Sequence, residues 1–171
     1  MANSFKTNDL TKIGMFAAFM FVATWIHIPI YIGYSSMIHL GTAALLISST
    51  LLKPKHAFLA AAIGMSLFDL LDPAFIAWAP FTFIIKGSMA FVVSFWISKN
   101  GHGLRPYLIA FSIGALISVV GYYIAGSLIV GNWIAPLTHI PNSLITSAIG
   151  IAISIPLSIS IGKVSKKISR A

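Results

Sequence analysis

The sequence predicts an all-α integral membrane protein with six transmembrane helices and both termini cytoplasmic. Three observations carry this expectation. Of the 171 residues, 58% are hydrophobic and only 8% are charged, against about 25% charged in a soluble domain. Proline, glycine and short polar turns cut the apolar text into six runs. The cations then fall into alternate connections between those runs, as the positive-inside rule requires. One membrane domain over residues 1–171 is expected, with no room for a soluble one.

The first span is placed at residues 10–28, stopped by Pro29. Its basic leader, Met1 to Lys12, has no small-x-small cleavage site and reads as the entry to a retained span. A loop with Tyr31, Gly33, Tyr34, Ser35 and Ser36 follows, then a short span at residues 40–52 and the basic turn Lys53-Pro54-Lys55-His56. The third span, residues 57–71, ends at Asp72-Pro73. An aromatic connector with Phe75 and Trp78 leads to the fourth, residues 80–98. A polar turn precedes the fifth, residues 107–130, and the sixth covers residues 142–162.

Lys6 and Lys12, Lys53 and Lys55, Lys99 and Arg105, and Lys163, Lys166, Lys167 and Arg170 all fall on one predicted face. They are ten of the eleven Lys and Arg residues, and the other three connections hold none. The formal charge of +8 is therefore a topological signal. Basic residues scattered between apolar runs do not form a nucleic-acid surface.

Composition also removes chemistry. There is no cysteine, and the only acidic residues are Asp9, Asp69 and Asp72. Disulfides, thiolate sites and paired-carboxylate hydrolysis lack material, and no phosphate-binding G-x-x-x-x-G-K-[ST] loop is present. No enzyme activity, cofactor or bound metal is expected, and uphill work would need another chain to hydrolyse nucleotide. Gly64-x-Ser66 is a faint serine-protease echo, common among small-residue helices. His27, His39 and His139 share the cation-poor side and neutral imidazole binds metals, but metal is the weaker reading.

The cation-poor connections concentrate aromatic and hydrogen-bonding groups: Tyr31, Tyr34 and His39; Phe75 and Trp78; Trp133, Thr138, His139 and Asn142. An interfacial aromatic belt accounts for single rings. Clustering in all three connections favours a pocket closed by three loops. The remaining cation, Lys86, lies about 9 Å inside the fourth span at 1.5 Å per residue. Asp69 lies near the matching end of the third. A lone ion at that depth costs at least about 2.5–3.5 kcal/mol, so a structural Asp69–Lys86 ion pair is expected; the alternative has Lys86 donate to a ligand while Asp69 orients it. Small residues form packing stripes: Ser143, Ser147, Gly150, Ser154, Ser158 and Gly162 in the sixth span, Gly114, Gly121 and Ala125 in the fifth. Serines near Pro156 are expected to help satisfy the carbonyl that its missing N–H frees.

Several fragments resemble one family in their order and spacing: Met37-Ile38-His39-Leu40-Gly41, Gly64 with Asp69-Leu70, Lys86-Gly87, Gly121-Tyr122-Tyr123, and Ile140-Pro141-Asn142-Ser143 followed by Gly150 and Pro156-Leu157. The chain resembles the S components, the substrate-binding membrane subunits, of energy-coupling factor (ECF) vitamin transporters. It is most similar to the branch assigned to riboflavin, hydroxymethylpyrimidine and pyridoxine-like ligands. The resemblance implies a multi-pass protein of the bacterial plasma membrane that captures a small-molecule vitamin outside. It implies docking on a transmembrane coupling protein and two ATPase subunits. In the family, docking uses Ala-x-x-x-Ala on the first helix; Gly14 and Ala18 occupy those positions here, with glycine for the first alanine. Ligand contacts carried over by resemblance are Tyr34, His39, Trp78, Phe81, Lys86, Tyr123, Trp133, His139 and Asn142. A competing class is a self-sufficient secondary transporter or channel, which would need an inverted repeat or a midplane proton relay; neither is found. With so few ions available, a neutral flat heteroaromatic fits better than a multiply charged anion, and a molecule of the hydroxymethylpyrimidine or pyridoxine kind is preferred over riboflavin.

Overall fold

The protein was analysed as a computed structural model, which describes residues 6–30 and 36–168. Six α-helices account for most of them: α1 (Thr7–Trp25), α2 (Gly41–Leu51), α3 (Pro54–Leu71), α4 (Ala79–Asn100), α5 (Leu104–Val130) and α6 (His139–Ile168). Short 3-10 turns at Ile76–Trp78 and Ala135–Thr138 lead into α4 and α6. Helix ends follow local chemistry. Pro54 opens α3, where its missing N–H costs nothing. Asp72 closes that helix and its carboxylate accepts the Ala74 N–H at 2.9 Å. Gly131 ends α5 in the left-handed conformation, φ 70° and ψ 20°.

Two expectations change. The first helix stops at Trp25, and residues His27–Ile30 form a strand, β1, paired antiparallel with β2, Ser36–His39. His27 faces His39 and Pro29 faces Met37 in this ladder. The residues expected to finish a span and begin a loop are thus partly a hairpin. β-Branched isoleucines around Pro29 favour extended backbone over helix. The second change concerns the short second span. At 11 residues, α2 is about 16 Å long, too short to cross an apolar core of about 30 Å. Every residue from Gly41 to Thr50 is buried, so α2 is a peg inside the bundle. Its hydroxyls are satisfied internally: Ser48 and Ser49 donate to the Ala44 and Leu45 carbonyls, both at 2.7 Å.

Among the described residues, three helical segments are long and apolar enough to cross a membrane: Ile76–Asn100, Leu104–Val130 and Ala135–Gly162. Around α2, the bundle packs α3 on α4, α1 on α3, α4 on α5, and α6 on both α2 and α5. Its core includes Met20, Leu45, Leu46, Met89, Val93, Tyr107 and Phe111. In lipid, close packing supplies association that water would otherwise drive. Gly64 lies so close to α1 that a Cβ there would run into the Ala17 backbone. Gly150 similarly admits Thr42 of α2 against α6. Beside Pro156, Ser154 donates to the Gly150 carbonyl at 2.6 Å and the Ala43 carbonyl at 3.1 Å, while Ser160 donates to the Pro156 carbonyl at 2.9 Å. Those serines tie the helix to α2 and to its own next turn. None of these bonds goes to the carbonyl of Ala152, the one that proline frees.

Candidate ligand-binding site

The ends of β2, α3 and α5 and the starts of α2, α4 and α6 meet at one end of the bundle, the end whose connections carry no Lys or Arg. There the structure holds a partly open cavity of about 80 Å³. Each helix contributes one face at helical spacing. Trp78, Thr82 and Lys86 come from the α4 region, Ser118 and Tyr122 from α5, and His139, Asn142, Ser143, Thr146 and Ser147 from α6. Met37 and His39 of β2, Thr42 of α2, Asp69 of α3 and Phe75 complete the lining.

Lys86 is 2% exposed. Its ammonium donates to Thr42 Oγ1 at 3.3 Å and Ser118 Oγ at 3.2 Å, and lies 5.2 Å from the centre of the Tyr122 ring. Asp69, 4% exposed, meets the Thr82 hydroxyl, which in turn pairs with Tyr122 Oη at 3.0 Å. The direct Asp69–Lys86 ion pair expected from the sequence is therefore corrected. The two charges line one cavity, but Lys86 is held by hydroxyls from α2 and α5. Thr82, one turn from Lys86 on the same helix, is the group that stands beside Asp69.

The aromatic wall is Trp78, with its ring centre 5.4 Å from that of His139 and 6.0 Å from that of Tyr122. Asn142 Nδ2 donates to the Met37 carbonyl at 3.1 Å, and Thr146 reaches the same oxygen at 3.4 Å. Thus α6 is fastened to β2 across the cavity. His39, outside the helices at the end of β2, has its imidazole pushed down to about 3, by burial first and then by the charges of Lys86 and His27. It is a neutral ring, and its Nδ1 is buried with no hydrogen-bond partner.

Of the carried-over contacts, the structure brings together His39, Trp78, Lys86, His139 and Asn142. Tyr34 lies outside the described residues. Phe81, Tyr123 and Trp133 are not among the described residues that line this cavity. Phe81 is a single residue away from Thr82, about 100° around the helix. Tyr123 is similarly displaced from Tyr122, and its hydroxyl donates to the Trp133 carbonyl at 2.9 Å. Trp133 is 59% exposed and braces the α5–α6 connection through that bond. Sequence reasoning missed Tyr122, Thr42, Thr82 and Ser118. A four-residue spacing through 78, 82 and 86, and through 118 and 122, was the available signal. Accordingly, Trp133→Phe is expected to change ligand affinity by less than about twofold, as does a surface change away from a site, whereas Tyr122→Ala removes a wall and weakens binding at least tenfold; equilibrium titration of the two variants checks this.

No curated protein matches the sequence. Residues 4–163 match the family model of the ECF-type riboflavin transporter, S component, and the chain belongs to that family.

Proposed function

We propose that this protein is the vitamin-binding subunit of an ECF-type importer in the bacterial plasma membrane. It captures a small heteroaromatic vitamin or precursor, of the hydroxymethylpyrimidine or pyridoxine kind, on the outer side. The cargo is delivered inward when the subunit docks on a coupling protein and two ATPases. The observation that carries this reading is the cavity itself: a flat aromatic wall, several hydroxyls and one cation, at the end of the bundle that lacks basic connections. By the positive-inside rule that end is outer and both termini are cytoplasmic, with all six helices forming one membrane-embedded unit. Stacking plus a few aimed polar groups is how small-molecule pockets combine affinity with specificity. Riboflavin is the second reading, favoured by the description of the matching family.

Gly14 and Ala18 support the docking element. Both are exposed on α1, in line with Leu10 and Val22, at 56% and 59% exposure. A Cβ on Gly14 would touch nothing within 4 Å, so this stripe is free for a partner helix. The test is a fluorescence titration of the purified chain against a vitamin panel, with Trp78 as the reporter in the wall. Saturable quenching by a small heteroaromatic is expected, and retained in Trp133→Phe. In liposomes the chain alone is expected to accumulate nothing. No response to any panel member overturns the binding reading; uptake by the chain alone overturns the division of labour.

A further inference from the structure

We propose that the ligand is held as a net-neutral zwitterion: a heteroaromatic ring of the 3-hydroxypyridine class, its ring oxygen anionic toward Lys86 and its ring nitrogen protonated toward Asp69. This rests on the vitamin-binding reading above and narrows the ligand class within it.

The argument starts from two opposite charges that share a cavity without closing on each other. An ammonium has three N–H donors. Two go to the neutral hydroxyls of Thr42 and Ser118, at 3.3 and 3.2 Å, which leaves one for the cavity. Asp69 faces the same space, with Thr82 beside it. A carboxylate has about four lone-pair sites, and one hydroxyl cannot fill them. Water-poor surroundings make each unmet charge expensive and each met one strong. Direct pairing of the two would relieve both, yet Thr82 and Tyr122 occupy the ground beside Asp69, their oxygens 3.0 Å apart. The remaining solution is a ligand that carries its own separated charge.

A ring with an acidic hydroxyl and a basic nitrogen does this without net charge. The proton leaves the hydroxyl oxygen and sits on the ring nitrogen, so nothing is gained or lost. Its flat face suits Trp78 and His139, and the other titratable groups facing the space, His39 and Tyr122, are neutral hydrogen-bonding partners. An aminopyrimidine with an alcohol side chain has no acidic ring hydroxyl and leaves Lys86 without an anion.

The experiment uses the full purified chain in detergent and pyridoxine as the probe, read by absorption, because the zwitterionic and uncharged tautomers of a 3-hydroxypyridine absorb in different bands. Saturable binding with the zwitterion band dominant is expected. An analogue without the ring hydroxyl should bind about 10- to 100-fold more weakly, the range for losing one charge-assisted hydrogen bond. In Lys86→Met, residual bound pyridoxine should shift to the uncharged band. Pyridoxine bound in the uncharged band to the unaltered chain overturns the proposal, whether or not any variant folds. So does saturation by hydroxymethylpyrimidine or riboflavin with no competition from pyridoxine, although the vitamin-binding reading then stands. Failure of every panel member removes both.

Discussion

Lys86→Met is expected to weaken ligand binding by about 100-fold or more and to lower the melting temperature. Among the described residues the ammonium is the only cation in the cavity lining, and it organises Thr42, Ser118 and the Tyr122 ring around itself. Methionine fills a similar volume but offers no donor. Asp69, 4% exposed, is then left with no opposing charge among the described lining residues; removing one member of a buried charge system typically costs about 3–5 kcal/mol. The double variant Lys86→Met with Asp69→Leu separates the two effects. Removing both charges should recover stability, since apolar replacements of buried ions are often neutral or better, while binding stays lost. Thermal unfolding and equilibrium titration of the single and double variants check this. An unchanged melting temperature in the single variant means water reaches Asp69, and the account of a dry site fails.

Gly64→Val is expected to be the most damaging single change outside the cavity, costing about 3 kcal/mol or more, the upper end for overpacking. The first atom added meets Ala17 backbone, which no rotamer change can move aside. Since α1 packs chiefly on α3 and then on α2, valine prises it from the bundle. The hairpin strand that follows α1 goes with it, so ligand binding should fall as well. Gly14→Ala is the paired control: its Cβ enters open space, and stability should hold within about 0.5 kcal/mol. Yield of monodisperse protein and thermal unfolding distinguish the two glycines.

What the sequence made legible was set by long-range averages. Six apolar runs give six helices because hydrophobic text and breakers such as Pro54, Pro80 and Gly131 are local signals. Depth was also legible: a lysine inside an apolar run had to find polar company, and it did. Its company was not, since Thr42 and Ser118 lie 44 and 32 residues away in the chain and look like ordinary small-residue packing. The choice between Tyr122 and Tyr123 turns on helix rotation, which two adjacent tyrosines leave open until the neighbours of α5 are known. The two paired strands were hidden because they have four residues each, too few to show a periodicity. The bounds of α2 were legible to within a residue, but its burial on every side was not, because that is set by the helices packed around it.

The hairpin also makes the molecule a linkage. Beyond Ile26, α1 continues into β1, β1 is laddered to β2, and Met37 of β2 is the anchor for Asn142 and Thr146 of α6. A displacement of the first helix would thereby travel through eight paired residues to the cavity. On the docking proposed above, a partner on the outer stripe of that helix would hold a handle whose other end is wired to the vestibule.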